Sequence, residues 1–242
     1  MSSCSTCACA SSVNITKSWL AMPHGTPGPI SISSPSSSKA RPNSAFDHAR
    51  QHRVAKARFP VLKSLQQFDF TWPAKINRLQ IQNLFRLKFI EDKANVIFLG
   101  GVGLGKSHLG VALGHAACQA GHRVLFSTAI ESINALSAAQ SAGRFAAELK
   151  KYRRPDLLVL DELGYLPIDK KGAELLFQIL SQRYERGAIV LTTNKAFKHW
   201  PAIFNNDSTL ASAVLDRLLH HAETVIIEGK SYRMKDRIEP PK

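Results

Sequence analysis

Residues 100–107, GGVGLGKS, have the composition and spacing of a phosphate-binding loop. They match G-x-x-x-x-G-K-[ST] between a segment typical of a strand and one typical of a helix, the context that this motif requires. Glycines let backbone N–H groups turn towards phosphate oxygens, and the helix start adds its positive dipole end. Lys106 would place a cation at the β and γ phosphates, and the Ser107 hydroxyl would ligate Mg²⁺. The predicted nucleotide-binding residues are Gly100, Gly101, Val102, Gly103, Leu104, Gly105, Lys106, Ser107 and His108.

Two other interpretations of this glycine cluster are less favoured. A glycine-rich turn with a surface lysine would not need eight constrained positions in a strand-to-helix context. The dinucleotide fingerprint G-x-G-x-x-G fails because Lys106 stands where its third glycine belongs. The loop therefore predicts binding of a nucleoside triphosphate.

Two adjacent carboxylates indicate what happens to that triphosphate. Asp161 and Glu162 directly follow the apolar run LLVL at positions 157–160. Asp161, at the carboxyl end of a predicted strand, would hold Mg²⁺, and Glu162 would be the general base that polarises the attacking water. The alternative is a strand that simply ends in polar residues. Together with the phosphate loop, the pair favours hydrolysis over transfer to a bound acceptor.

Asn194 and Arg217 complete the predicted catalytic residues. Asn194 follows the strand-like run IVLTT, where its amide would contact the γ-phosphate and the attacking water, or else form a turn. The segment NKAF lacks the Asp of the guanine-specific N-K-x-D motif, which favours ATP over GTP. Arg217 would reach the γ-phosphate of a neighbouring subunit or form an intrahelical ion pair. Arg183 and Arg186 are further candidates, or caps of their own helix.

Strands and helices alternate beyond Lys93, which predicts a parallel sheet with helices on both faces. The expected fold is α/β, a P-loop NTPase module with five parallel strands. Two shorter helices are expected before it, one after Pro60 and one over residues 79–93. Predicted strands cover residues 95–99, 123–127, 156–160, 188–193 and 224–227, and predicted helices cover 106–119, 130–140, 144–152, 172–186 and 209–221.

Composition divides the chain into three parts. A Ser- and Pro-rich head at 1–50 is expected to be disordered, followed by a basic, partly helical segment at 51–93 and an ATPase domain at 94–242. Three of the four cysteines lie in the first nine residues, which excludes a disulfide framework and disfavours a zinc site. The sequence contains neither an apolar run of membrane-spanning length nor a secretory signal, so a cytoplasmic location and no membrane partner are expected.

The net charge of +14 favours a polyanionic partner, nucleic acid first. Basic residues form three clusters, each of which alone would be a solvated helix face. Together they predict salt-sensitive, sequence-independent binding of duplex DNA. The first cluster lies between Arg50 and Lys88, where Asp69 is the only acid; the second is Lys150, Lys151, Arg153 and Arg154, and the third is Lys230, Arg233, Lys235 and Arg237.

Several motifs closely resemble the IstB family, AAA+ ATPases that are encoded beside a transposase in bacterial insertion sequences and are related to the DnaC helicase loaders. The motifs are the phosphate loop, LLVLDELGYLPID, SQRYERG, LTTN and LDRLLHHAETVIIEGKSYRMKDR. The resemblance implies an ATPase that forms homo-oligomers on duplex DNA and recruits and stimulates a partner transposase. It also implies that Lys106 and Ser107 bind phosphate and Mg²⁺, Asp161 binds Mg²⁺, Glu162 is the base, Asn194 is a sensor and Arg217 is an arginine finger acting in trans.

The sequence departs from the family pattern at both ends. Residues 1–50 do not resemble the helical N-terminal domain of the family, and the hypothesis is that they are an aberrant or truncated start. Only about fifteen residues follow the last predicted strand, too few for the helical lid of larger AAA+ proteins, so Arg233 is a secondary sensor candidate. Two alternative functions stay open: a DnaC-like helicase loader, and an inactive DNA-binding remnant of a mobile element.

Overall fold

A computed structural model of the chain describes residues 44–72 and 75–234. As predicted, it contains one sheet of five parallel strands in the order β2-β3-β4-β1-β5. This order places the carboxyl ends of β3, β4 and β1 side by side, at the edge where open α/β sheets bind ligands. The strands are β1 (Asn95–Gly100), β2 (Val124–Thr128), β3 (Leu157–Leu163), β4 (Ala188–Thr193) and β5 (Ala222–Ile227).

Helices cover both faces of the sheet. One face packs against α4 and the three helices that precede β1, and the other packs against α5 to α8. Successive residues of a strand point to opposite faces of the sheet and so pack into two different hydrophobic cores. In β1, Val96 and Phe98 pack into the core on the α4 face, and Ile97 packs into the core on the other face. The helices are α1 (Ser44–Ala57), α2 (Arg78–Leu84), α3 (Lys88–Glu91), α4 (Lys106–Ala120), α5 (Ala129–Ser141), α6 (Phe145–Arg153), α7 (Lys170–Arg183) and α8 (Ser208–Leu219), with 3-10 turns at Leu65–Gln67, Phe197–His199 and Tyr232–Met234.

The start of α4 lacks the side-chain cap that is present at the starts of α5, α7 and α8. Thr128, Asp169 and Asp207 cap α5, α7 and α8 by accepting a backbone N–H with their side chains. The corresponding residue of α4 is Gly105, which provides no side-chain cap. The first N–H groups of α4 therefore have no side-chain acceptor and are available to bind an anion, as the phosphate-loop motif predicts.

The N-terminal segment differs from the prediction in three places. The helix α1 begins at Ser44, so the disorder predicted over 1–50 is wrong from there on; residues 1–43 lie outside the described residues. The helix expected after Pro60 is only a 3-10 turn. The single helix expected over 79–93 is divided into α2 and α3, because Leu87 adopts a left-handed conformation with φ of 62°.

The remaining elements agree with the prediction to within three residues at each end. The largest differences are at β3, which continues through the two carboxylates to Leu163, and at α7, which ends at Arg183. Among the described residues, no helix is both long and apolar enough to cross a membrane.

Candidate nucleotide-binding site

The phosphate loop connects β1 to α4 at the carboxyl edge of the sheet. Gly100 still pairs with Ile227 of β5, and a Cβ atom at Gly100 would collide with the Ile227 carbonyl oxygen. Gly105 has a φ of 84°, the left-handed conformation that turns the chain into α4. The local backbone therefore requires glycine at both ends of the loop, in agreement with the motif.

Lys106 is buried although it carries a charge, with 3% of its surface exposed. Its Nζ donates a hydrogen bond to the carbonyl oxygen of Gly101 at 2.6 Å. Burial lowers the pKa of Lys106; Asp161 and Glu162 oppose this effect, and Arg233 reinforces it. A phosphate oxygen would be a charged acceptor, stronger than the carbonyl. The ammonium group is thus placed to exchange a loop carbonyl for a phosphate.

Asp161 lies on β3 and is 5% exposed. The hydroxyls of Ser107 and Thr192 both donate hydrogen bonds to its Oδ1, the former at 2.9 Å. None of the described groups donates to Oδ2. Carboxylate and hydroxyl oxygens are ligands that Mg²⁺ prefers, so the two residues predicted to hold the metal do lie together and fit it.

Thr192 is a site residue that the sequence motifs did not predict. It lies on β4, next to β3 in the sheet, two residues before Asn194. Its hydroxyl donates to Asp161 and accepts the backbone N–H of Glu162 at 3.0 Å. The available signal was a hydroxyl residue near the end of a buried strand, which is too common to identify a site without knowledge of the strand order.

Glu162 has a φ of 63°, which is unusual for a residue with a Cβ atom. The register between β3 and β4 is irregular between Leu160 and Leu163, around this residue. The side chain of Glu162 is exposed and lines the same cavity as Lys106. Backbone strain of this kind clusters at functional sites, so the conformation supports the role predicted for this carboxylate.

Asn194 is the first residue after β4, as predicted. Its side-chain oxygen Oδ1 is buried and has no hydrogen-bond partner among the described residues. Because a buried acceptor without a donor is unfavourable, this oxygen is suited to a water molecule or ligand that donates to it. Asn194 and Asp161 are not themselves among the residues that line the cavity.

A cavity of about 520 Å³ lies beside residues 103–108 of the phosphate loop. Gly100, Gly101 and Val102, although predicted to bind nucleotide, are not part of its lining. Most of the other lining residues were not predicted from the sequence, because they come from segments that are distant along the chain. These residues include Phe68, Asp69 and Trp72 before α2, Tyr165 after β3, and Tyr232 and the secondary sensor candidate Arg233 after β5.

Two hydrogen bonds fix the segment after β5 at this cavity. The backbone N–H of Tyr232 donates to the carbonyl oxygen of Gly103 at 2.9 Å. The indole N–H of Trp72 donates to the carbonyl oxygen of Lys230 at 2.9 Å, and the Trp72 and Tyr232 rings meet edge-on with centroids 6.0 Å apart. The lining of the cavity beside the phosphate loop is therefore partly aromatic, a composition suited to a nucleobase.

His108 lines the cavity, but its ring is engaged by the protein. Its Nε2 forms a hydrogen bond with the carbonyl oxygen of Ser64 at 2.9 Å, and its ring packs edge-on against Phe68 at 5.5 Å. Burial lowers the pKa of His108; the hydrogen bond to Ser64 opposes this, and Lys63 adds to it. The structure thus gives His108 a positioning role, holding residues 64–68 against the start of α4.

Arg217 is not brought into the site of its own chain. It lines a small cleft with Asn95 and Ile189, at the amino ends of β1 and β4, whereas the phosphate loop lies at their carboxyl ends. Its Nη1 donates to the carbonyl oxygen of Ala213 at 2.9 Å, and its guanidinium lies 4.6 Å from the centroid of the Phe177 ring. A catalytic role for Arg217 would therefore require a second subunit.

Arg183 was the alternative candidate for the arginine finger, and that prediction is wrong. Its side chain is only 1% exposed, so it cannot reach a neighbouring subunit. Burial lowers its pKa to about 10, so it stays charged near neutral pH. Its guanidinium donates to the backbone carbonyl oxygens of Tyr152, Pro155, Asp156 and Ala188. These bonds tie the end of α7 to the starts of β3 and β4. Arg186 is exposed.

Comparison with known proteins identifies a family that has these motifs. The family model described as IstB-like ATP binding protein matches residues 42–240, a range that contains every predicted site residue. The ATP-binding protein of insertion sequence IS21 from Pseudomonas aeruginosa is 44% identical over 195 residues, which are 81% of this chain and 73% of that protein.

Solved structures show the same fold. The crystal structure of the DnaC helicase loader superposes with a TM-score of 0.55 at 24% identity, over 68% of this chain and 96% of that one. AMPPCP-bound DnaA from Aquifex aeolicus superposes with a TM-score of 0.57 at 23% identity, over 74% of this chain and only 56% of that one. The described residues thus form a P-loop domain of the AAA+ type.

Proposed function

Because the chain belongs to the IstB-like ATP-binding protein family, we propose that it hydrolyses ATP as a helper of transposition. One observation carries the enzymatic part: Lys106 and Glu162 line a single cavity, while the Ser107 hydroxyl in the same lining is hydrogen-bonded to Asp161. A cation, a general base and a pair of hard oxygen ligands at one end of a parallel sheet are the groups that hydrolysis of a triphosphate needs.

Each residue has a distinct part in the proposed reaction. Lys106 would exchange the Gly101 carbonyl for phosphate oxygens. Ser107 and Asp161 would hold Mg²⁺, which when bound neutralises phosphate charge. Glu162 would take a proton from the attacking water. Asn194 Oδ1 would accept a hydrogen bond from the same water and so orient it.

The decisive experiment compares ATP binding and ATP turnover in the wild type and in Glu162→Gln. Glutamine has the same shape and the same backbone strain at this position, but it cannot act as the base. We expect an unchanged ATP dissociation constant and a turnover at least about 10²-fold lower. Lys106→Ala serves as the binding-deficient control and should bind no nucleotide. Equal turnover in the wild type and Glu162→Gln would contradict the proposed mechanism.

The proposal includes self-assembly, with Arg217 acting on a neighbour's triphosphate. The position of Arg217 supports this role, because the residue lies at the edge of the sheet opposite the phosphate loop of the same subunit. Mixed assemblies test this. Subunits with Arg217→Ala retain an intact site, and subunits with Glu162→Gln retain the arginine, so mixing the two should restore turnover that neither has alone. If mixing restores no turnover, the role in trans is refuted.

The proposal also includes binding of duplex DNA and recruitment of a partner transposase. The net charge of +14 supports the first, and the insertion-sequence names of the relatives support the second. A second candidate function, a helicase loader, is favoured by the superposition that covers nearly all of the DnaC chain. Capture of the transposase or of a hexameric helicase by the purified chain separates the two, and absence of ATP turnover would favour an inactive remnant.

A further inference from the structure

Two basic clusters that are about a hundred residues apart in sequence meet in one groove. This basic groove has a volume of about 650 Å³ and lies along β2, which forms one edge of the sheet. It shares no lining residue with the nucleotide cavity. Its cationic residues are Arg53, Lys56, Arg58, Arg123, Lys151 and Arg154.

Acidic residues neutralise only part of this charge. Glu131 and Glu148 line the groove, and Glu148 pairs with Lys151 at 2.6 Å. Arg123 pairs with Asp156, also at 2.6 Å. The cations therefore exceed the carboxylates even when these ion pairs are discounted.

The excess positive charge of the groove lies on three side chains, those of Lys56, Arg58 and Arg154. All three are exposed, and none forms an ion pair with another residue in the described part of the chain. Arg58 has a φ of 60°, a strained conformation for a residue with a Cβ atom, directly after α1. Since like charges that are brought together repel one another, their convergence in a concave surface indicates an anionic ligand.

The other lining residues indicate which anion. Phe126 and Tyr152 are only 6% and 5% exposed, so they offer no ring face on which an unpaired base could stack. Among the described residues, none of the exposed large hydrophobic side chains lines the groove, so a protein partner would find no apolar anchor. Spaced cations without either feature suit the phosphate backbone of a duplex.

We propose that the basic groove is where this chain holds the backbone of duplex DNA, independently of sequence. The inference rests on the proposed function, which supplies DNA as the partner, and deepens it by naming the surface. The other half of the first cluster, which includes Arg86 and Lys88, does not line the groove, and Arg233 of the third cluster lines the nucleotide cavity.

The test measures affinity of the full chain for a labelled duplex of random sequence, with a non-hydrolysable ATP analogue, by anisotropy across a salt series. The groove variant is Lys56→Gln/Arg58→Gln/Arg154→Gln. The control, Arg86→Gln/Lys88→Gln/Lys171→Gln, removes the same charge from exposed positions outside the groove. Each phosphate contact contributes about 0.9 to the slope of log affinity against log salt concentration. Relative to about 1 M salt, one contact therefore raises the affinity roughly eightfold at about 0.1 M salt.

We expect the groove variant to bind duplex roughly 500-fold more weakly at about 0.1 M salt, with a slope smaller by nearly 3 and with unchanged binding of the ATP analogue. The control should lose much less affinity. Equal losses in the two variants, or retained DNA affinity with lost capture of the transposase, would overturn the assignment of the groove while leaving the proposed function intact. A wild type with no affinity for duplex would instead contradict the DNA-binding part of the proposed function, and this inference with it.

Discussion

Replacement of Thr192 tests the geometry of the nucleotide site most directly, because one hydroxyl is bonded to the carboxylate of Asp161 and to the backbone of Glu162. It donates to Asp161 Oδ1 and accepts the N–H of Glu162 at 3.0 Å. Thr192→Val keeps the branched shape and removes both hydrogen bonds. Thr192→Ser keeps the hydroxyl and removes only a methyl group that packs near Gly110. The two variants therefore separate the hydrogen bonds from the packing.

The expected magnitude follows from these two bonds. A hydrogen bond to a charged group contributes about 1.5–3 kcal/mol, and a fully buried N–H without an acceptor costs about 1–3 kcal/mol, which is an upper bound for the partly buried N–H of Glu162. These effects overlap, so we expect Thr192→Val to lower the free energy of unfolding by about 2–4 kcal/mol. Thr192→Ser should lower it by about 1 kcal/mol, as for loss of one buried methyl group.

Turnover should separate the variants more clearly than stability does. A shift of a catalytic group by about 1 Å can reduce turnover about 10²-fold, which we expect for Thr192→Val, whereas Thr192→Ser should stay close to the wild type. Urea unfolding gives the stabilities, and phosphate release at saturating ATP and Mg²⁺ gives the turnover. Equal turnover in the two variants would refute the reasoning, since they differ in the hydroxyl that is held to position Asp161 and Glu162.

Three further predictions follow from burial. Arg183→Met leaves four carbonyl groups without their donor and should lower the free energy of unfolding by more than about 3 kcal/mol in a urea titration, against less than about 0.5 for Arg186→Ala. Burial raises the pKa of Cys118 to about 11, so mass spectrometry should find it unalkylated by iodoacetamide at about pH 8 in the folded chain and alkylated in urea. Burial lowers the pKa of His108, so its contribution to stability is complete above its unfolded pKa of about 6.5 and is lost as the pH falls below that value. His108→Gln should therefore reduce the fall in unfolding free energy between about pH 7 and 5, and an unchanged fall would contradict this.

Contiguous motifs made most of the fold and half of the site predictable from sequence. The phosphate loop fixes a strand, a turn and a helix within about twenty residues, and its position between β1 and α4 is confirmed. The apolar runs of β3 and β4 are fully buried strands of a parallel sheet, which is why they lack polar alternation. These elements depend on interactions between residues that are close in sequence, so they could be predicted from the sequence alone.

Long-range placement could not be predicted in the same way. Phe68 and Trp72 lie at the nucleotide cavity because residues 64–68 bind α4 through His108 and because Trp72 binds Lys230. The helix expected after Pro60 does not form, although the apolar spacing is helical, since Leu65 and Phe68 pack against the core from an irregular segment. Tertiary contacts thus override the local pattern, and single-sequence periodicity contains no information about them.

The N-terminal segment physically connects the two proposed binding surfaces. Lys56 and Arg58 line the basic groove, and ten residues after Arg58 the same segment supplies Phe68 to the wall of the nucleotide cavity. We expect a nucleotide bound against this wall and DNA held in the groove to influence each other's binding through this shared segment. Because coupling between two binding sites is reciprocal, any factor by which ATP raises the affinity for duplex must equal the factor by which duplex raises the affinity for ATP. The short, ordered connection from α1 to Phe68 is therefore the element through which such coupling would pass.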